Sequence, residues 1–354
     1  MAALTSRITL QVTDPSVVDG PEDFLSTSLG VIFPDDVTNQ HGDAEHSLVY
    51  TSPHLVGGGG GGKGEGEAGE AGAVLRFDLA EPEGEGERRL FSHYLWNASL
   101  LLAELVERDS LLGGANAGAG AGAESLGRGA SFDVRGLRTL ELGAGTALPS
   151  VMAGLLGARG VAVTDYPAPA VLRTLRTNVV RNLTDRGVLA AAAAARAEKK
   201  AFLGGEGPKE VAGSEITEGK EMEMEMEMAV EGHAWGELDD AFCAANRRAF
   251  DRVMVADCLW MPWQHANLRR SVGHFLGEGA GARAWVVAGF HTGRVKMRGF
   301  FDAEGLRADG GLEVERIWEV DCDGVERAWA EEREEGISVR KRWLVVAVLK
   351  RVGA

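Results

Sequence analysis

The sequence predicts an α/β fold built on a mostly parallel sheet. Short apolar runs alternate with amphipathic helical stretches, a glycine turn follows the first clear strand, and two apolar runs close the chain side by side. Phe91 to Arg108 sets Leu95, Ala98, Leu102, Leu105 and Val106 at helical spacing, which predicts an amphipathic helix. Leu137 to Leu142 is a short strand running into Gly143-Ala144-Gly145, and Pro149 to Leu156 is the helix behind it. Val161 to Asp165 is a second strand and Ala170 to Leu183 a second helix. Phe250 to Asp257 reads as a buried strand, His265 to Phe275 as a helix and Ala284 to Phe290 as a strand. Gly299 to Leu306 is a short helix or turn. Leu312 to Val320 and Arg342 to Leu349 form the closing pair, with an antiparallel last strand expected and an acidic helical stretch, Val325 to Glu335, between them.

Three segments lack the apolar periodicity that would offset chain entropy: Gly57 to Gly72, Gly113 to Gly129, and Ala190 to Met228. The expected organisation is an N-terminal extension over 1–90, partly disordered at 57–72, followed by one α/β domain over 91–354. That domain carries flexible insertions at about 113–130 and 190–229. The repeat from Glu221 to Met228 alternates like a strand, but it holds no aromatic or β-branched residue and predicts a loop.

Of 354 residues, 45% are hydrophobic, enough for a sizeable core, and the formal charge is −16. So acidic a chain gains nothing from counterion release, which excludes tight non-specific nucleic-acid binding; the charge suits a basic protein partner or serves solubility alone. The three cysteines, Cys243, Cys258 and Cys322, form no CxxC pair and no zinc spacing with the histidines, so no metal and a reducing compartment are expected. The N-terminus opens no signal-peptide core, and the runs Val188 to Ala195 and Trp343 to Leu349 are too short to cross a bilayer. The expectation is a cytoplasmic monomer with no membrane partner.

The chemistry gathers at strand ends. In Glu141-Leu142-Gly143-Ala144-Gly145, glycine lets the backbone turn off a strand and a ligand come close. A dinucleotide fingerprint needs a third glycine where Leu148 stands, and no Gly-Lys-Ser/Thr follows, so neither that reading nor a P-loop fits. Asp165 ends the second strand, 20 residues after Gly145, where a carboxylate can accept hydrogen bonds from both ribose hydroxyls of an adenosine; a helix N-cap is the alternative. Asp257, at the end of the strand after the long insertion, is a candidate for steering an amine nucleophile, with an N-cap again the alternative. The indoles of Trp96 and Trp235 could stack on adenine or belong to the core.

Together these residues resemble the seven-β-strand, S-adenosylmethionine-dependent methyltransferases, in the lysine-methyltransferase-like branch. The fungal group once described as nicotinamide N-methyltransferase-like is the most similar. The resemblance rests on His93 to Ser99, Glu141 to Pro149, Thr164 to Pro167, Gly232 to Gly236 and Ala256 to Trp260, and spans about Phe91 to Arg351. It implies a Rossmann-like sheet of seven strands with helices on both faces. It also implies S-adenosyl-L-methionine contacts at Trp96, Gly143, Ala144, Gly145, Asp165, Trp235 and Ala256. The implied substrate is elongation factor 1-alpha, methylated at its N-terminal amine and adjacent lysine. Many lysine-methylating relatives carry Asp-x-x-Tyr after the fourth strand; here Trp260 takes the tyrosine position, a looser pattern compatible with an N-terminal amine. A small-molecule N-methyltransferase of the nicotinamide type and an inactive binding module are the competing readings.

Overall fold

A computed structural model describes residues 3–12, 38–42, 46–56, 72–81, 84, 94–112, 126–127, 129–203 and 226–354. The N-terminal part supplies β1 (Ile8–Val12), β2 (Gln40–His41), β3 (His46–Val56), β4 (Gly72–Phe77) and β5 (Leu95–Trp96). Strands β1, β3 and β4 form a small antiparallel sheet, and β2 pairs with β5, setting Gln40 opposite Trp96. The large sheet contains β6 (Arg138–Leu142), β7 (Gly160–Asp165), β8 (Glu227–Gly232), β9 (Arg252–Ala256), β10 (Arg283–Gly289), β11 (Leu312–Asp321), β12 (Glu326–Ala328) and β13 (Trp343–Arg351).

Their spatial order is β12-β11-β13-β10-β9-β6-β7-β8. Strands β8, β7, β6, β9 and β10 run parallel, while β13 lies antiparallel between β10 and β11. This is the mostly parallel sheet with an antiparallel last strand that the sequence predicts. One strand exceeds the expected seven: β12 adds a short antiparallel edge beside β11.

The main helices are α1 (Asn97–Leu112), α2 (Leu148–Leu155), α3 (Pro169–Thr184), α4 (Arg186–Leu203) and α5 (His265–Phe275). Period-two alternation along the strands feeds two cores. Met254, Ala256, Trp285, Val287 and Val346 join a core shared with α1 to α4 and the small sheet. Val253, Val255, Ala284, Val286 and Ala347 join a second core shared with α5. Helices therefore cover both faces, and strands buried on both sides read as continuous apolar runs. No helix among the described residues is long and apolar enough to cross a membrane.

The N-terminal sheet is locked onto α3 by two asparagines. Asn182 accepts from Arg76 N at 2.9 Å and donates to Arg76 O at 2.8 Å. Asn178 does the same for Asp78, at 2.8 and 2.9 Å.

Four expectations need correction. Helix α1 begins at Asn97, not Phe91, because the backbone of Leu95 and Trp96 is engaged by β2. The alanine run expected to be flexible is helical as α4: alanine loses no side-chain entropy in a helix, and Val188, Ala191 and Ala192 are buried. The same insertion ends in strand, since Glu227 and Met228 open β8. Its signal is faint because side chains on that edge are half-buried or exposed. The acidic stretch from Val325 is not a helix but β12 and a loop, held by pairing with β11 and by arginine–glutamate contacts. The remaining low-complexity calls, on residues 57–71, 113–125 and 204–225, lie outside the described residues.

Candidate active site

The chain leaves β6 toward β7 on one side, and β9 lies on the other. This reversal of strand order opens a crevice at the carboxyl ends of the parallel strands. A cavity of about 440 Å³ occupies it. All the residues singled out from the sequence line this cavity: Trp96, Gly143, Ala144, Gly145, Asp165, Trp235, Ala256 and Asp257.

The floor is the turn after β6. Gly143 and Gly145 adopt left-handed backbones, with φ of 66° and 56°. A Cβ on Gly143 would come within 2.8 Å of Cys258 Sγ and 3.0 Å of the Trp235 ring. Glycine is thus needed for the loops after β8 and β9 to close over the turn. Beneath it, Glu141 is fully buried, and its Oε2 accepts from the Ser150 backbone N–H at 3.0 Å and from the Ser150 hydroxyl. Burial pushes the Glu141 carboxyl up to about 8, against the two Ser150 hydrogen bonds.

Asp165 ends β7 with both oxygens engaged by backbone. Oδ2 accepts from Gly145 N at 2.8 Å and Oδ1 from Tyr166 N at 2.6 Å. It does not cap α3, whose N-cap is Ala168 with no side-chain bond. Burial raises its pKa, and these two N–H groups oppose the rise. A carboxylate offers about four lone-pair sites, so two remain that can face the cavity.

Asp257 has a left-handed backbone, φ 57°, unusual for a residue with a side chain. Its N–H donates to Val287 O at 2.8 Å, and its Oδ1 accepts from Gly289 N at 3.2 Å, which ties β9 to β10 at the cavity edge. It is not a cap either: the next helical turn is capped at Met261 and α5 at Gln264.

Sequence reasoning missed the rest of the wall. Tyr94, Tyr166, His233, Glu237, Met261, Gln264 and Asn267 also line the cavity, as does Trp260. Tyr166, His233, Glu237, Trp260 and Met261 share a signal of position, one to five residues beyond a strand end, whereas Tyr94 precedes β5 and Gln264 and Asn267 flank the start of α5. Tyr94 meets Trp96 edge-on, with ring centroids 6.1 Å apart.

These residues fit an adenosine-bearing cofactor: a close-approach turn, a buried carboxylate with spare acceptor sites, and aromatic walls. A possible metal group departs from the sequence reading, because ligand atoms of His233, Asp240 and Cys243 all lie within 4.8 Å of one another. Packing accounts for it. Asp240 caps Cys243 N at 2.7 Å, the Cys243 thiol meets His233 Nδ1 at 3.6 Å, and His233 Nε2 meets Ser271 Oγ at 2.9 Å.

A sheet of this order, closed by an antiparallel strand and carrying this cavity at its switch point, is that of an S-adenosylmethionine-dependent methyltransferase. The chain is an enzyme of that class. No protein-family model matches it. It is similar to the protein N-terminal and lysine N-methyltransferase of Yarrowia lipolytica, with 25% identity over 65% of this chain and 68% of the relative. The Gibberella zeae protein of the same name is 26% identical over 66% and 70%. The Kluyveromyces lactis protein is 26% identical over 54% and 56%.

Among solved structures, an arsenic(III) S-adenosylmethionine methyltransferase from Chlamydomonas reinhardtii gives a TM-score of 0.36 at 14% identity, covering 62% of this chain and 65% of that one. Magnesium protoporphyrin IX methyltransferase from Synechocystis, with bound S-adenosylhomocysteine, gives 0.32 at 11% identity, covering 62% and 75%. Scores this low carry no argument, and the fold assignment rests on the sheet itself.

Proposed function

We propose that the chain is a protein N-methyltransferase that modifies the N-terminal amine and adjacent lysine of elongation factor 1-alpha. The observation that carries this reading is the gathering of the glycine turn, Asp165, Trp96, Trp235 and Asp257 around one cavity. The protein N-terminal and lysine N-methyltransferases to which the chain is similar support the acceptor class. The elongation factor itself comes from the sequence resemblance.

S-adenosylmethionine, when bound, supplies a methyl group on a sulfonium, a leaving group already activated. Asp165 would hold the ribose hydroxyls, Gly143 to Gly145 would admit the cofactor against the backbone, and Trp96, Trp235 and the Ala256 strand end would wall the adenosine. Asp257 would accept a hydrogen bond from the acceptor amine once that amine has released a proton to solvent, and would orient the freed lone pair toward the methyl group. Holding nucleophile and methyl donor in one geometry supplies much of the acceleration, so no nucleophile–base pair is required.

The test is purified enzyme with radiolabelled S-adenosylmethionine and elongation factor 1-alpha, followed by mass spectrometry of the N-terminal peptide. Methyl groups on the terminal amine and neighbouring lysine are the expected result. Cofactor binding without any labelled protein would overturn the reading.

A further inference from the structure

The loop after β9 turns most of its side chains into the cavity: Asp257, Cys258, Trp260, Met261 and Gln264 all line it. Trp263 does the opposite. It is 72% exposed, the most exposed large hydrophobic side chain among those described. Its turn, Pro262–Gln264, is nonetheless firmly built. Pro262 opens the turn, His265 meets Leu259 O at 3.0 Å, and Asn267 donates to Gln264 at 2.7 Å.

Asn267 also abuts the loop after β8, since a Cβ on Gly236 would meet the Asn267 side chain at 2.7 Å. That loop continues into Glu237, Leu238, Asp239 and Asp240. Glu237 and Asp239 are exposed and make no ion pair among the described residues, and Glu237 lines the cavity. The two loops that meet at Asn267 beside the cavity therefore carry an exposed indole on one and two exposed carboxylates without an ion pair among the described residues on the other.

We infer that Trp263, with Glu237 and Asp239, is the docking surface for an extended, positively charged segment of the acceptor protein, which enters the cavity amine first. This rests on the protein-methyltransferase reading above and names the surface that selects the acceptor. An exposed indole on a firmly built turn offers a large contact area and has only two side-chain torsions to fix on binding, the usual character of a binding anchor. It also attracts a lysine or arginine over its face. Neighbouring carboxylates speed encounter with a basic partner and repel an acidic one.

The probes are a ten-residue peptide with a free N-terminal amine and four lysines, and the same peptide with glutamates in place of the lysines. Binding to the full chain loaded with S-adenosylhomocysteine is measured by calorimetry. The lysine peptide is expected to bind the unaltered protein at least about tenfold more tightly than the glutamate peptide. Trp263→Ala should weaken the lysine peptide about tenfold. Asp239→Lys should weaken it and remove most of its salt dependence. S-adenosylhomocysteine affinity within about twofold of the unaltered protein confirms that each variant is folded. Equal binding of the two peptides, no binding of either, or a lysine-peptide affinity indifferent to both substitutions would overturn the inference. Labelling of elongation factor 1-alpha by the unaltered protein is scored separately. A labelled protein with indifferent peptides sinks the docking surface alone, and no labelled protein sinks the wider reading.

Discussion

The two halves of the large sheet bury carboxylates in opposite ways. On the β6–β7 side, Glu141 and Asp165 are held by hydroxyl and backbone N–H groups, with no ion pair among the described residues. On the β10–β11 side, Glu319 is fully buried and accepts from both Arg294 Nη atoms, at 2.5 and 3.1 Å, from Arg327 Nε at 2.6 Å and from Ala330 N at 3.2 Å. Glu335 completes this group through Arg294 at 2.9 Å and Arg327 at 2.7 Å. Glu319 has its acceptor sites filled by the fold. Asp165 keeps capacity for a ligand and bears the desolvation that goes with it. Charge pairing marks the β10–β11 half of the sheet, and neutral donors mark the half that lines the cavity.

The largest expected effect tests the β10–β11 half. Arg294→Ala leaves Glu319 and Glu335 without their main partner in a buried site and should lower unfolding free energy by about 3–5 kcal/mol, read by denaturant titration. Cofactor affinity of the fraction that remains folded should stay near that of the unaltered protein. A loss of stability too small to measure would show that the arginine network does not hold the β11–β13 corner.

Asp165→Ala should do the converse. Removing the ribose acceptor should weaken S-adenosylmethionine binding by about 1.5–3 kcal/mol, tenfold or more, in a calorimetric titration. Unchanged affinity would reduce Asp165 to a tie between β7 and the glycine turn. Gly143→Ala should cost about 1–2 kcal/mol for a left-handed residue with a Cβ, and it also pushes on Cys258 and Trp235. It should therefore appear in both melting temperature and cofactor affinity, whereas the first two substitutions each move mainly one.

The remaining test is pH dependence, whose sign separates carboxyls held by neutral donors from those held by arginines. Burial pushes Glu141 from 4.5 up to about 8, and pushes Glu107, which accepts from Ser52 and His54 N, from 4.5 up to about 7. The folded chain then keeps protons that the unfolded chain releases, so these two groups lower stability as pH rises from about 4.5 to 8. Burial also raises Glu335, but hydrogen bonds from Arg294 and Arg327 outweigh it and hold the group below its ordinary value. Its contribution is present above 4.5 and lost as pH falls through the folded value. Glu141→Gln should flatten the fall in melting temperature up to pH 8 and leave the acid limb unchanged. A variant with the same slope as the unaltered protein would contradict the assignment.

Much of the cavity lining was legible in the sequence, because a turn off a strand leaves discrete marks: Gly143, Gly145 and an acidic residue at the next strand end. The alternative capping roles of Asp165 and Asp257 could not be excluded from spacing, since N-cap and strand-end positions differ only in where the next helix starts. The β10–β11 half was barely legible. Arg294, Glu319, Arg327 and Glu335 are far apart in sequence and look like ordinary surface charges until the strands bring them together. Composition misled at both ends of the long insertion. Alanine is poor in side-chain signal yet a strong helix former, and an edge strand such as β8 needs little apolar content. The N-terminal sheet left only short alternations, Leu48 with Tyr50 and Leu75 with Phe77, and its strands find partners across low-complexity sequence.

Asn178 and Asn182 have a consequence for how the molecule breathes. Each side-chain amide presents to β4 the donor and acceptor that a neighbouring strand would offer, and the pair repeats at the two-residue interval of a strand. The outer rim of the small sheet is thereby closed without another strand. Amide protons of Arg76 and Asp78 should exchange with solvent only when α3 itself lifts away. The N-terminal sheet and α3 would then open as one cooperative unit.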